Sequence, residues 1–493
     1  MNPFTRKIDL IIFLITSIIA FSCATHIDKS EGRAESRSWD YKKPNVIYIM
    51  ADDLGFGDPS CYGQEKFNTP NIDRIAQEGI IFTQHYAGST VCAPSRSVLM
   101  TGLHTGHTPS RGNRQHGPIG QFPIPDSSFT VAELFKDAGY ITGAYGKWGL
   151  GSVFNEGNPQ KQGFDHFFGH FCQGYAHRYY PEFLWDDGEK IMLNNMDSLR
   201  DYSGDIIHEE ALKFINQYKD SSFFLYLPYT IPHAELILPE DEVFESNRGK
   251  YLPEKKFQGN DYFSEDFRPF GYASQDEAHA AFVSMVQRLD RYVGEVISAL
   301  EDAGITKNTL IMFTSDNGPH QEAGGDPNYF NSNGGLRGIK RDLYEGGIRV
   351  PFIARWPEAI KKGTQTSHLS SFSDFLPTMA DLLDYDSSIK TDGISYLPTF
   401  LGKDNQKQHE FLYWEFHEQG GKQAVRMSKW KAVRLNVQEN PEAPIELYNL
   451  EKDPSETKDI AEKHPEIIKE CKLIMEKEHI KSDDFSFEYE KDK

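Results

Sequence analysis

Two short apolar runs, far apart in the chain, each end in a pair of oxygen-bearing residues. The first is Asn45-Val46-Ile47-Tyr48-Ile49-Met50, followed by Ala51-Asp52-Asp53-Leu54-Gly55. The second is Thr309 to Thr314, followed by Ser315-Asp316-Asn317-Gly318. Runs this short and this apolar predict strands buried on both faces, as in a parallel sheet covered by helices. The segments between them alternate. Thr69-Pro70 opens a helix carrying Ile72, Ile75 and Ala76 that stops at Gly79, and Thr130 caps a second that runs to Gly139. A strand near Tyr140 to Tyr145, a helix over 205–218, a strand from Phe223 to Leu227 and a long amphipathic helix from about Asp276 to Ala303 follow, the last closed by Gly304. This order predicts an open α/β sheet with right-handed crossovers, whose ligands sit beyond the carboxyl ends of the strands. Both Asx pairs fall there, although about 260 residues separate them. One Asx pair after a strand is more often a turn or a helix cap. Two such pairs on one sheet edge make an all-oxygen site for a hard cation such as Ca²⁺ or Mg²⁺.

The rest of the chain frames that domain. Arg6 and Lys7 precede an apolar run from Leu10 to Phe21 that is too short to span a bilayer, so residues 1–23 read as a secretory signal. Small residues before Cys23 resemble a bacterial lipobox, which predicts a lipoprotein-type signal of a Gram-negative envelope protein, periplasmic or anchored to the outer membrane; ordinary cleavage is the alternative. Residues 24–42 are polar and form a tether. The α/β domain is placed at 43–395. Residues 396–493 change texture: Glu410 to Glu415, Ala424 to Met427, Trp430 to Leu435 and Ile445 to Leu450 alternate like strands, and Pro465 to Glu478 is a charged amphipathic helix. They predict a small antiparallel sheet with one helix. Lys+Arg number 52 against 73 Asp+Glu, a net charge of −21, which speaks against nucleic-acid binding. The five cysteines are too few and too scattered for a disulfide framework, and they form no CxxC, which argues against a structural zinc.

The stretch richest in chemistry is Val91-Cys92-Ala93-Pro94-Ser95-Arg96-Ser97-Val98-Leu99-Met100-Thr101-Gly102. Pro94 suits a first helical turn and places Cys92 at a helix N-terminus, where negative charge is favoured. Alone, Cys92 would read as a buried helix-start cysteine. The whole string, Cys-x-Pro-Ser-Arg with Thr-Gly behind it, resembles the signature of type I, formylglycine-dependent sulfatases of the alkaline phosphatase superfamily, and in particular bacterial arylsulfatase-A-like glycan sulfatases. Further blocks match in order: Ala51 to Gly55, Gly146-Lys147-Trp148, Pro232-His233, Ser315 to Gly318, Lys340 with Tyr344 to Pro351, and Leu447-Tyr448-Asn449-Leu450 with Asp453-Pro454 and Glu456-Thr457.

That resemblance implies a set of roles. A maturation enzyme oxidises Cys92 to formylglycine; one hydroxyl of its hydrate attacks sulfur, and loss of the other's proton later releases sulfate. Asp52, Asp53, Asp316 and Asn317, with the residue at 92, hold one Ca²⁺. Arg96 braces formylglycine, Lys147 and Lys340 hold sulfate oxygens, and His233 protonates the leaving alcohol. The family's Gly-Lys-Trp-His is here Gly146-Lys147-Trp148-Gly149, so an imidazole is missing. His177 is the candidate substitute, Gln173 a second, and His104 and His107 weaker options. Thr90 and Tyr145 are further, milder departures. The expected partner is a sulfated carbohydrate, of galactose or N-acetylgalactosamine type, read by Arg111-Gly112-Asn113-Arg114 (Arg111 above all), by Gln173 to Tyr180, and by an insertion from Glu240 to Gly271 that carries Phe257, Tyr262, Phe263 and Phe267; that insertion reads equally as a packed surface loop. Two other readings stay open: a phosphodiester or phosphonate monoester hydrolase of the same superfamily, and a lipid-anchored glycan-binding protein with a dead centre.

Overall fold

The computed structural model describes residues 43–117, 119–385 and 388–491. The expected signal segment, Cys23 and the tether lie outside the described residues. Among those described, no helix is long and apolar enough to cross a membrane.

The first apolar run is β1, Asn45–Ala51. In chain order there follow helix α1 (Pro70–Gln77), β2 (Ile80–Phe82), α2 (Cys92–Thr101), α3 (Val131–Asp137), β3 (Ile141–Lys147) and β4 (His166–His170). Next come β5 (Phe183–Asp186), β6 (Glu189–Met192), α4 (Ser203–Tyr218), β7 (Phe223–Pro228), α5 (Ala278–Asp302) and β8 (Thr309–Ser315). Short strands β9 (Phe352–Arg355) and β10 (Thr364–Thr366) and helix α6 (Phe375–Leu383) close the α/β part. Ten strands form one mixed sheet in the order β10-β2-β9-β8-β1-β7-β3-β4-β5-β6. The centre, β8-β1-β7-β3-β4, is parallel throughout. β9 inserts antiparallel between β8 and β2, and β5 and β6 form an antiparallel edge hairpin.

The central strands are buried on both faces, as their composition requires. Ile47 and Ile49 join one large core with Leu225, Leu227 and Phe313 and with Val283, Leu289 and Val293 of α5. Tyr48, pointing the other way, packs on Phe375 of α6 with ring centroids 4.5 Å apart. Thr130 caps α3 through a capping box with Glu133, satisfying two orphan backbone donors at once.

Beyond the sheet lie β11 (Leu412–Phe416), β12 (Lys422–Met427), β13 (Trp430–Leu435) and β14 (Ile445–Asn449), a four-stranded antiparallel sheet, with helix α7 (Pro465–Glu478) on it. Its period-two alternation sorts the side chains. Tyr413, Val425, Ala432 and Leu447 face Cys471 and Met475 of α7. Trp414, Phe416, Ala424 and Val433 face Tyr86, Val91 and Ile348 of the α/β part. Between these layers, buried Lys431 reaches Glu345 at 3.0 Å and Glu456 at 3.4 Å.

Candidate active site

Ala51 and Ser315 are register partners at the last rung shared by β1 and β8. Asp52, Asp53, Asp316 and Asn317 therefore leave the sheet side by side, and all four are buried. Asp53 adopts φ 63°, a left-handed turn that Asp tolerates better than most residues. Its N–H donates to Asp316 Oδ1 at 3.1 Å, and Leu54 N–H donates to Ser315 Oγ at 2.9 Å. Asn317 Nδ2 donates to Asp53 Oδ1 at 2.6 Å and to Gly318 O at 2.9 Å. That leaves Asn317 Oδ1 buried with no hydrogen-bond partner. An orphaned buried carbonyl costs about 1–3 kcal/mol. Three carboxylates and this oxygen, converging in one buried place, fit a hard divalent cation. One ligand atom each of Asp52, Asp53, Cys92 and His233 also lie within 4.8 Å of one another, but thiol and imidazole suit softer ions.

Three cations balance this acidic cluster. Arg96, one turn into α2 and fully buried, places Nη2 at 2.9 Å from Asp316 Oδ2 and 3.4 Å from Asp52 Oδ2. Its Nη1 donates to the carbonyl of Lys147. Lys147, the last residue of β3, sets Nζ 2.5 Å from Asp52 Oδ2. Lys340 sets Nζ 2.8 Å from Asp53 Oδ2, and its own N–H is held by Pro319 O at 2.9 Å. Burial alone would raise the Asp52 pKa, but Lys147, then His233, Arg96 and Lys340, hold its carboxyl well below the usual range. Asp316 is pushed up to about 7 by burial and by the neighbouring Asp52 charge. Cys92 begins α2, and its Sγ–H donates to Asp52 Oδ1 at 3.3 Å. A helix N-terminus favours a thiolate, yet here burial and then Asp52 push the thiol well up, so Cys92 stands protonated.

Three imidazoles form a column over the lysines. His177 stacks on His233 with centroids 3.9 Å apart and planes 15° from parallel, and His320 follows at 5.6 Å from His233. His233 Nδ1–H donates to Ala234 O, which leaves Nε2 to accept from Lys340 Nζ at 2.9 Å. Burial, with Lys340 against Asp53, lowers the His233 pKa to about 4, so the ring is neutral. His177 Nε2 lies 3.3 Å from Lys147 Nζ, and burial followed by His233 and Lys147 drives its pKa well down. Gly149 has φ 78°, and a Cβ built there would meet Gln173 Nε2 at 3.1 Å. Gln173 thus fills the space beside Gly149. Glu322 was not anticipated: Oε1 pairs with Arg341 at 2.6 Å, while Oε2 takes Tyr272 OH at 3.1 Å and faces Lys340 at 3.6 Å. The only sequence hint was its nearness to the Ser315-to-Gly318 block, five residues on from Asn317.

Other expected residues are placed elsewhere. Arg111 does not face the site. It is buried against the small sheet, where its guanidinium holds Glu415 Oε1 at 2.9 Å, Ile480 O at 2.5 Å and Thr108 O at 3.1 Å. Its Nε and Nη1 are thereby committed to Thr108, Glu415 and Ile480, of which Glu415 is far away in sequence. His104 and His107 stack on each other at 4.1 Å and pair with Glu478 and Asp392, so they are not substitutes for the missing imidazole. The insertion is mostly exposed, but two of its aromatics are packed. Tyr262 and Phe267 lie against the Arg178 guanidinium at 5.0 and 4.8 Å, and buried Glu235 holds Arg178 at 2.6 Å. Phe263 alone of the four named aromatics is largely exposed, at 55%.

Comparison with known proteins agrees with this architecture. The family described as Sulfatase matches residues 44–385, and the one described as N-sulphoglucosamine sulphohydrolase, C-terminal, matches residues 338–481. The chain is 28% identical to an N-acetylgalactosamine-6-O-sulfatase of Bacteroides thetaiotaomicron, over 92% of this chain and 95% of that one. It is 31% identical to the N-acetylgalactosamine-6-sulfatase of Canis lupus familiaris, over 75% of this chain and 68% of the relative. Among solved structures, Ps i-CgsB in complex with k-i-k-neocarrahexaose superposes with a TM-score of 0.75 at 28% identity, covering 92% of this chain and 96% of that one.

Proposed function

The chain belongs to the sulfatase family and is a sulfuric ester hydrolase, and from that premise we propose that it removes sulfate from a galactose- or N-acetylgalactosamine-type residue of a glycan, using Cys92 as its matured nucleophile position. The observation that carries the proposal is the convergence of Cys92, Asp52 and three buried cations on one sheet edge. The sugar preference is supported by relatives named for N-acetylgalactosamine sulfates. Conversion by a formylglycine-generating enzyme would give residue 92 a hydrated aldehyde, whose oxygen takes up the sulfuryl group. Asp52, Asp53, Asp316 and Asn317 would hold a Ca²⁺, which supplies charge neutralisation on the ester and lowers the pKa of a nearby hydroxyl.

The chain's own residues do the rest. Lys147 and Lys340 each spend an ammonium on a carboxylate here; a bound sulfate offers oxygens to the same ammonium protons. Arg96, with Nη1 tied to the Lys147 carbonyl, fixes β3's end against α2 and so holds Lys147 in place. The leaving alkoxide needs a proton. His233 is neutral with its proton on Nδ1, and its Nε2 accepts from Lys340 Nζ, so the proton for the leaving oxygen comes from the Lys340 ammonium and is relayed through His233 Nε2, which gives it up as the alcohol forms. His177, neutral and beside Lys147, is proposed to handle the proton that the imidazole absent at Gly149 would take. The signal segment and Cys23 are proposed to route the protein to the cell envelope, as a periplasmic or lipid-anchored enzyme.

Peptide mass spectrometry on protein from a host with a maturation enzyme tests the nucleophile. Loss of mass at Cys92 matching thiol-to-aldehyde conversion, together with faster turnover of aryl sulfate than of aryl phosphates, is expected. An unmodified Cys92 in such a host would sink this account.

A further inference from the structure

Asn113 stands beside the site, on the loop after α2, and its side chain is exposed. Its Oδ1 accepts from Ala93 N–H, the amide directly after Cys92, at 3.0 Å. It accepts a second bond from Gln173 Nε2 at 3.2 Å. A backbone N–H can only donate, so the orientation of the Asn113 amide is settled by its partner: Oδ1 faces the protein and Nδ2 faces away. Nδ2 has no hydrogen-bond partner among the described residues. The main chain is also fixed, since Asn113 N–H donates to Glu418 Oε1 at 3.1 Å. Gln173 cannot drift, because it is buried and wedged over Gly149.

An exposed asparagine is seldom held at three points. Here the result is a rigid, outward-turned pair of N–H bonds one residue from the nucleophile position. Using such a donor costs little conformational entropy. It is also neutral, whereas Arg96, Lys147 and Lys340 already answer the anionic charge of a sulfate ester. A neutral amide donor suits a neutral oxygen: a hydroxyl, a ring oxygen or an acetamido carbonyl.

We infer that Asn113 is a substrate-binding residue that donates from Nδ2 to a neutral oxygen of the sugar bearing the ester. This rests on the sulfatase reading above. The test compares wild type with Asn113→Ala on 4-nitrophenyl sulfate, which offers no sugar oxygen, and on a panel of sulfated galactose and N-acetylgalactosamine monosaccharides. For the best sugar of the panel, kcat/KM should fall roughly ten-fold further than it does on the aryl ester, the size of one lost hydrogen bond. Asn113→Ser, which keeps an oxygen for the Ala93 N–H, should restore any aryl-ester rate that the alanine loses but not the further loss on the sugar. Equal losses on both substrates, or none on either, overturn the inference. Wild-type activity on the aryl ester with none on the panel overturns it together with the sugar preference. Wild type inactive on both refutes the sulfatase reading instead.

Discussion

The side-chain amide of Gln173 occupies the space that a side chain on residue 149 would need: Nε2 lies 3.1 Å, Cγ 3.3 Å and the amide carbon 3.6 Å from a Cβ built on Gly149. The two residues are complementary halves of one arrangement. Gly149 also sits at φ 78°, where L side chains are strained. Gly149→Ala should therefore lower stability by about 1–2 kcal/mol, the left-handed cost, and lower kcat/KM by displacing Gln173. Denaturant melts and aryl-sulfate kinetics check this. A wild-type melting curve for the variant would show that the position is relaxed.

Asn317 Oδ1 is a buried oxygen awaiting a partner. Added Ca²⁺ should raise Tm after chelator treatment, since a ligand bound by the native state alone stabilises it by about 2.7 kcal/mol at a hundred times its Kd. Asn317→Leu, similar in size, should melt near the chelated wild type and respond to Ca²⁺ far less. Differential scanning fluorimetry against Ca²⁺ and Mg²⁺ reads both. An undiminished response in the variant would remove Asn317 from the metal site.

Arg111 works as a structural cation. Its loss leaves Glu415 buried with the imidazoles of His417 and His479 and the Tyr413 hydroxyl but without a guanidinium. Arg111→Ala should cost about 2–4 kcal/mol, somewhat below the usual toll of breaking a buried pair because two histidines remain. KM for a sulfated sugar should stay unchanged in the folded variant. A raised KM with an unchanged Tm would return Arg111 to the substrate.

His479 gives a pH signature. Burial would lower its pKa, but hydrogen bonds and charge from Glu415 and Glu490, at 2.7 and 3.0 Å, raise it above the ordinary value. A raised folded pKa means that the stabilisation is fully present below the unfolded value of about 6.5 and is lost as pH climbs through the folded one. His479→Ala should thus cost more stability at about pH 6 than at about pH 9, measured by urea melts at both. Equal costs would mean the ring contributes by packing alone.

What was legible in the sequence was what local chemistry determines. The runs at Asn45 and Thr309, the cap at Thr130 and the helix at Pro465 carry their periodicity and punctuation within a dozen residues, and each formed within two or three residues of its expected limits. The hairpin β5–β6 was missed although Asp187-Gly188, both at positive φ, is a strong hairpin signal. β9 was missed because four residues after a proline carry little pattern. The quartet of Asp52, Asp53, Asp316 and Asn317 was visible through strand ends and motif. The pairing of Arg111 with Glu415 was invisible because the two lie 304 residues apart, Asn113 was named only as one residue of a loop, and Glu322 was overlooked, because their meaning comes from neighbours that only the fold supplies.

The pairing of Ala51 with Ser315 has one more consequence. Strand registers change in whole residues, and a slip of a single step would turn every side chain of β1 to the opposite face of the sheet. The acidic quartet thus has no loosely assembled form. It exists when the deepest strands have closed on each other and is absent otherwise. Metal affinity in this protein should be all-or-none with respect to folding, so a titratable cation site doubles as a gauge of the fraction of molecules whose innermost sheet is intact.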